Sequence, residues 1–263
     1  MIGYIIIMAV SFGASVIGAI CGIGGGVIIK PVLDAVGIIP VNTISFLSGC
    51  TVLSMSVISV GKNLCRGGAG DFDKKTGTLL AAGAAAGGIL GKNLYQLILS
   101  GLSNTQRVGA VQAAVLLVIT AGTLLYTLAR EHITTKHVSN RAACVLIGMI
   151  LGIMSAFLGI GGGPINLVVL FWFFSMSTKQ AAQYSLYIIM FSQFASLFST
   201  VVSGQIPDFS LSAIMLMVVC GVLGGLAGSA INKKIREKQV DRLFIGLMVV
   251  IILINIYNIF KYV

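Results

Sequence analysis

Gly22-Ile23-Gly24-Gly25-Gly26-Val27-Ile28-Ile29-Lys30-Pro31-Val32-Leu33 stands near the start of the chain, and its first five residues return at Gly159-Ile160-Gly161-Gly162-Gly163. The offset is 137 positions. In the same register Ile28 falls on Ile165, Leu33 on Leu170, Ser48 on Ser185, Gly87 and Gly88 on Gly224 and Gly225, and Gly91 on Gly228. Single glycine matches carry little weight in a glycine-rich chain. A five-residue identity with a glycine pattern in constant register reads as a tandem repeat. The expected organisation is an N-terminal repeat over 1–130, a polar linker over 131–140 and a C-terminal repeat over 141–263.

The segments around the two motifs are apolar. Of the 263 residues 57% are hydrophobic and 9% charged, where a soluble domain carries roughly a quarter charged residues. Mean hydropathy is +1.03. Residues 2–21, 42–60, 77–99, 107–129, 142–158, 181–202, 211–231 and 243–260 form apolar runs, each at or near the roughly 20 residues that cross about 30 Å of hydrocarbon. Too little polar surface remains to cover eight such runs in water. The chain therefore reads as an all-α, multi-pass membrane protein. Residues 2–21 lack a basic n-region and read as a membrane segment rather than a cleaved signal. The formal charge of +10 fits basic loops at anionic headgroups and gives no reason to expect nucleic acid.

Each motif is followed by a short apolar segment, 27–39 or 164–176. Thirteen residues of helix span only about 20 Å. Each segment either turns back with the preceding helix as a re-entrant hairpin or makes a broken crossing. Basic residues choose between orientations. Loop 61–76 carries Lys62, Arg66, Lys74 and Lys75; the linker region carries Arg130, Lys136 and Arg141; loop 232–242 carries Lys233, Lys234, Arg236, Lys238 and Arg242. Residues 100–106 and 203–210 carry no Lys or Arg. The positive-inside rule puts the first three loops in the cytoplasm, the other two outside, and both termini outside. Repeat-related loops then face opposite sides, so the halves have inverted topology. Inverted repeats with interrupted segments at matching places are a sequence signature of secondary transporters.

Consecutive glycines weaken a helix by about 1 kcal/mol each relative to alanine. In hydrocarbon their freed backbone groups would cost several kcal/mol apiece. The motif therefore belongs where protein or a polar cavity surrounds it. One reading is close helix packing through small residues, which suits Gly87, Gly88, Gly91, Gly224, Gly225 and Gly228. The other, for Gly22, Gly24, Gly25, Gly26, Gly159, Gly161, Gly162 and Gly163, is an anion site at helix starts, where free N–H groups and positive partial charge converge. Pro164 suits a first helical turn. Asn166, Gln183, Tyr184, Ser185 and Ser48 are candidate hydrogen-bond partners for the anion. Lys30 is a candidate cation, or with Asp34 one turn on it forms a neutralising pair. Ser192, Ser196 and Ser199 share a helical face with Ser185, Gln193 adds a donor on the same helix, and these residues either line a path or bond neighbouring helices.

The five cysteines are scattered without CxxC spacing, which argues against a disulfide framework or zinc site. The spans offer Asp34 but no His or Glu for a metal. His132 and His137 fall in the polar linker. Neither HExxH nor GxSxG occurs, and the glycine motifs lack the GK[ST] ending of nucleotide-cradling loops. No catalytic residue, metal or cofactor is expected, and transport would draw on an ion gradient or run downhill.

Paired GxGGG motifs, each after an apolar helix and before a short apolar segment, resemble the TauE/SafE sulfite exporter family, also called the toluene sulfonate uptake permease family. The first half matches its GxGGGxxxxPxL pattern at Gly22, Gly24, Gly25, Gly26, Pro31 and Leu33; the second matches its glycines at Gly159, Gly161, Gly162 and Gly163. Ser185-Leu186 retains the end of a GTSL-like run, and Ser48 takes the equivalent place. Three departures cluster at the candidate site. Lys30 replaces an apolar residue, Val168 stands where proline is common, and Gln183-Tyr184 replaces a small pair. The resemblance implies a permease of a bacterial or archaeal plasma membrane for a small sulfur-containing anion such as sulfite, thiosulfate, a sulfonate or a sulfonated carboxylate. The alternatives are a transporter of another organic anion and a membrane scaffold or sulfur-relay partner using Cys21 or Cys50. Coupling to H+ or Na+ and assembly as a homodimer are the remaining partner expectations.

Overall fold

The computed structural model describes residues 2–65, 73–101 and 105–262, and among these all regular structure is helical. The first half contains α1 (Ile2–Cys21), α2 (Gly26–Val36), α3 (Val41–Cys65), α4 (Lys74–Gly101) and α5 (Thr105–Ala129). The second contains α6 (Arg141–Leu158), α7 (Pro164–Phe174), α8 (Thr178–Val202), α9 (Leu211–Lys234) and α10 (Glu237–Tyr262). Moving α3 by the 137-residue offset reproduces the bounds of α8. Arg66 and residues 102–104, used in the loop-charge reading, lie outside the described residues.

Seven of these helices are long and apolar enough to cross a membrane: α1, α3, α5, α6, α8, α9 and α10. Helix α4 has the length, at 28 residues, but draws its apolar character from alanine and glycine. Those small residues serve packing. A Cβ on Gly87 would lie 2.1 Å from the carbonyl oxygen of Met149 on α6, and one on Gly83 would lie 2.1 Å from that of Val145. The second half repeats the contact, with Gly224 against Phe12 and Gly228 against Val16, so α9 packs on α1 as α4 packs on α6. Gly88 and Gly225 likewise meet the backbones of Ser192 and Met55, another pair 137 residues apart. The packing reading of these later glycines therefore holds, with backbones brought close enough for dense van der Waals contact.

The short segments turn back. The Cβ position of Gly3, at the start of α1, lies 3.7 Å from Ile38, just past the end of α2. In the second half, the backbone N–H groups of Lys136 and Val138, just before α6, donate to the carbonyls of Trp172 and Phe173 at the end of α7. Helices α1–α2 and α6–α7 are thus antiparallel pairs joined at the glycine motifs. Gly37, in the left-handed region at φ 72°, ends α2, and Ser175 ends α7 at φ 50°.

Contacts at the helix ends define two faces. On the first, the Tyr4 hydroxyl meets Ser212 at 3.1 Å, the Thr43 hydroxyl donates to Asp208 at 3.0 Å, and Lys261 Nζ donates to Asp34 O at 2.9 Å. On the second, Arg130 pairs with Asp241 at 3.8 Å and donates to Thr178, which itself donates to Asp241 at 2.8 Å. Helix α3 starts on the first face and α8 on the second. The linker contributes more than charge: Lys136 lies 5.1 Å from the Trp172 ring centre, while His132 and His137 are exposed. Asp73 starts α4 by accepting from the Thr76 hydroxyl and the N–H groups of Lys75 and Thr76, and the Thr76 bond leads in holding its carboxyl below the usual carboxylate range.

Candidate functional site

The tips of the hairpins meet. The carbonyl oxygen of Ile160 lies 2.3 Å from the Cβ position of Gly26, so no side chain larger than hydrogen fits there without a shift. Between the tips, Val52 on α3 and Ile189 on α8, again 137 residues apart, both approach Gly24 and Gly161. The identical motifs do not fold identically. Gly22 and Gly159, and Gly24 and Gly161, share positive φ values, but Gly25 is right-handed at φ −64° where Gly162 stands at φ +102°. Only glycine adopts such a backbone without strain.

The tips also differ in their openness. Ala182 on α8 presses on Gly22, its Cα 2.2 Å from the Cβ position. The equivalent contact, Ser45 on Gly159, is looser, with Ser45 Cβ at 3.0 Å. A chamber of about 30 Å³ opens there, lined by Ser45, Gly49, Gln112, Phe157, Gly159 and Gln193 among others, with Lys92 and Tyr95 at its wall. That volume holds about two waters. Lys92 and Tyr95 also line a vestibule of about 410 Å³ with Asn42, Gln96, Gln205, Ile206 and Pro207, residues of the first face. Among the described residues, no lining residue of either cavity is Asp or Glu.

Lys30 sits behind the chamber floor. Its Nζ lies 3.6 Å from the Cβ position of Gly159 and donates to Leu158 O at 2.8 Å and to Gln112 Oε1. Gln112 Nε2 donates in turn to Phe157 O at 2.7 Å. These carbonyls form the C-terminal end of α6, where a cation meets the negative end of the helix dipole. Lys30 and Asp34 do not form the ion pair that their spacing suggested, because the ammonium is drawn to the α6 carbonyls.

The other nominated residues divide. Among the motif glycines Gly159 lines the chamber, whereas the other seven are buried: Gly24, Gly26, Gly161 and Gly163 in the contact between tips, Gly22 against Ala182, Gly25 against Ala14 on α1, and Gly162 against Asn166 and Ile189. Asn166 and Ser185 join by a 3.3 Å hydrogen bond beside Gly162, and Asn166 Oδ1 and Ser48 Oγ are buried without a partner. Tyr184 lies toward the second face, where its hydroxyl accepts from the Asp73 N–H at 2.6 Å and donates to Asp73 O at 3.2 Å. It anchors the start of α4. Gln183 is half-buried on the same helix and lines neither cavity. Gln193 and Ser196, read as either path-lining or packing, line the chamber.

Sequence reading passed over Lys92, Tyr95 and Gln112. Lys92 was detectable as a lone charge late in the apolar run 77–99. Gln112 carried no local signal, since its role comes from meeting Lys30 across the fold. Cys21, the cysteine nearest a motif, is fully buried, which leaves its sulfur no open route to a partner.

A family model described as Sulfite exporter TauE/SafE matches residues 7–254. The chain is 22% identical over 279 aligned positions, covering 98% of both chains, to the probable membrane transporter protein YunE of Bacillus subtilis (strain 168). No solved structure matches it. The chain belongs to the TauE/SafE family of membrane transporters.

Proposed function

We propose that this TauE/SafE protein is a secondary transporter for a small sulfur-containing anion: sulfite, thiosulfate, a sulfonate or a sulfonated carboxylate. One observation carries the anion: a route from the first face, free of carboxylates among the described residues, passes Lys92 and ends at Gly159 with Lys30 behind it. The family assignment carries the sulfur.

An anion entering the vestibule meets Lys92 first and exchanges water for amide and hydroxyl donors as the passage narrows. Gln112, Ser45, Gln193 and Tyr95 offer neutral hydrogen bonds that hold an oxyanion without trapping it. The chamber must widen to take four or five non-hydrogen atoms. With the first face read as the outer one from the basic loops, this arrangement is outward-facing, with Gly22 sealed by Ala182 on the cytoplasmic side. Exchange of the two tip conformations would loosen Gly22 from Ala182 and close Ser45 on Gly159. Halves of inverted topology, related by a pseudo-twofold axis in the membrane plane, would exchange their roles between those two states.

The test is uptake of radiolabelled sulfite, thiosulfate and methanesulfonate into proteoliposomes, with acetate for comparison. Saturable uptake of at least one sulfur anion, resisted by excess unlabelled anion, supports the reading. Acetate entering as readily would move the assignment to organic anions at large, and absence of uptake under any imposed gradient would remove it.

A further inference from the structure

Among the described residues, Asp34 is the buried acidic group, and the anion route does not use it. It is about nine-tenths buried, and its Oδ1 has no hydrogen-bond partner. With Lys30, Gln112, Leu158 and Asn255 it lines a second chamber of about 10 Å³. Gln112 lines this chamber and the anion chamber alike, and Lys30 lies between them. Unpaired carboxylates are rare within membranes because leaving them charged is costly. The positive groups around Asp34 are Lys30 on its own helix and Lys261 from α10, with Lys92 and Tyr95 on α4 as the further titratable groups.

We propose that Asp34 is the proton-binding site that couples anion movement to H+ in symport, an inference that rests on the transporter reading above. Charge balance supplies the coupling. In the empty protein Lys30 is positive and the Asp34 carboxylate negative, so the buried pair sums to zero. When a monovalent anion reaches the chamber beside Lys30, one proton adds to the Asp34 carboxylate to give the carboxylic acid, and the sum is again zero. Anion alone leaves one negative charge in the hairpin, and proton alone leaves one positive charge. Half-loaded states must carry that charge through the rearrangement, whereas empty and fully loaded states do not. Reciprocity adds to this: the anion favours protonation of Asp34 as much as the proton favours the anion. A proton fits better than Na+, because the chamber has room for about one water and the neighbouring ammonium repels a metal cation.

The test uses proteoliposomes of the full chain loaded with a trapped pH dye and supplied with labelled methanesulfonate or thiosulfate, both fully ionised near neutral pH. Wild type is expected to acidify the lumen as label enters, and an outside-acid gradient of one pH unit to raise accumulation of methanesulfonate about 10-fold. Asp34→Asn mimics the protonated acid. It should retain exchange of internal for external label, lose acidification and lose the response to the pH gradient, while Asp34→Glu restores both. Label entry without acidification in wild type, or driven by Na+ instead, overturns proton coupling while the transporter reading stands. Acidification retained in Asp34→Asn, or loss of exchange in that variant, overturns the assignment to Asp34. Failure of both anions, and of sulfite, to enter wild type under any imposed gradient overturns the transporter reading and this inference with it.

Discussion

The carbonyl oxygen of Gly161 lies 3.3 Å from the point where a Cβ on Gly24 would sit, so the hairpin tips of the two halves touch through glycine backbone. Placing a methyl group on Gly161 adds two penalties. The backbone is at φ +78°, and the new carbon would fall 2.5 Å from Val52 Cγ1. Gly161→Ala is expected to lose transport by more than about 10-fold with a lowered thermal transition, since a left-handed non-glycine residue costs roughly 1–2 kcal/mol before the clash is counted. Uptake and differential scanning fluorimetry check it. Unchanged values in both would show that the tips do not need this contact.

The helix-packing glycines give a second contrast. Gly87→Ala forces α4 away from α6, whereas a Cβ on Gly122 in α5 meets nothing within 4 Å. Gly87→Ala should destabilise by about 1–3 kcal/mol. Gly122→Ala should be neutral or stabilising by up to about 1 kcal/mol through helix propensity. Thermal transitions in detergent distinguish the two.

Lys92 stands in both cavities, so its charge acts on an anion before the anion is fully dehydrated. Lys92→Gln is expected to raise the KM for a sulfur anion by about 10-fold, on the order of 1.4 kcal/mol, with a smaller change in kcat. The difference should shrink at high ionic strength, because the vestibule is hydrated. Initial uptake rates at low and high salt test both parts.

Tyr184 was a candidate ligand in the sequence and is an anchor in the structure. Tyr184→Phe removes its two hydrogen bonds to Asp73 and should leave the KM for anion within about twofold, the loss of a single neutral side-chain contact away from the route. Trypsin cleavage at Lys74 or Lys75 should rise as the start of α4 loosens. A large KM change with unaltered proteolysis would restore Tyr184 to the site.

Much of the fold was legible because its determinants are local or periodic. Apolar runs located the long helices, and the 137-residue register placed α3 and α8 on one another. Segment length alone could not choose between a hairpin and a broken crossing at 27–39, since contacts such as Gly3 with Ile38 are tertiary. The site was legible only as a neighbourhood. Identical GIGGG strings predict equal roles, yet Gly159 lines a chamber while Gly22 is sealed by Ala182. That difference lies in tertiary contacts, Ala182 on Gly22 and Ser45 on Gly159, which the motif strings themselves do not encode. Lys30 stood out as an intramembrane charge, but its partners Gln112 and Leu158 lie on other helices.

The most direct test of the anion route is substrate protection at the chamber wall. Ser196 on α8 lines the chamber without a motif glycine being disturbed. In a Ser196→Cys variant, labelling by a small methanethiosulfonate reagent above the background of the parent protein should slow several-fold in the presence of sulfite-sized anions such as thiosulfate or methanesulfonate. The same concentration of a neutral analogue, dimethyl sulfone, should leave the rate unchanged. Labelling that is indifferent to every sulfur anion, in protein shown to transport one, would contradict the assignment of this chamber as the path.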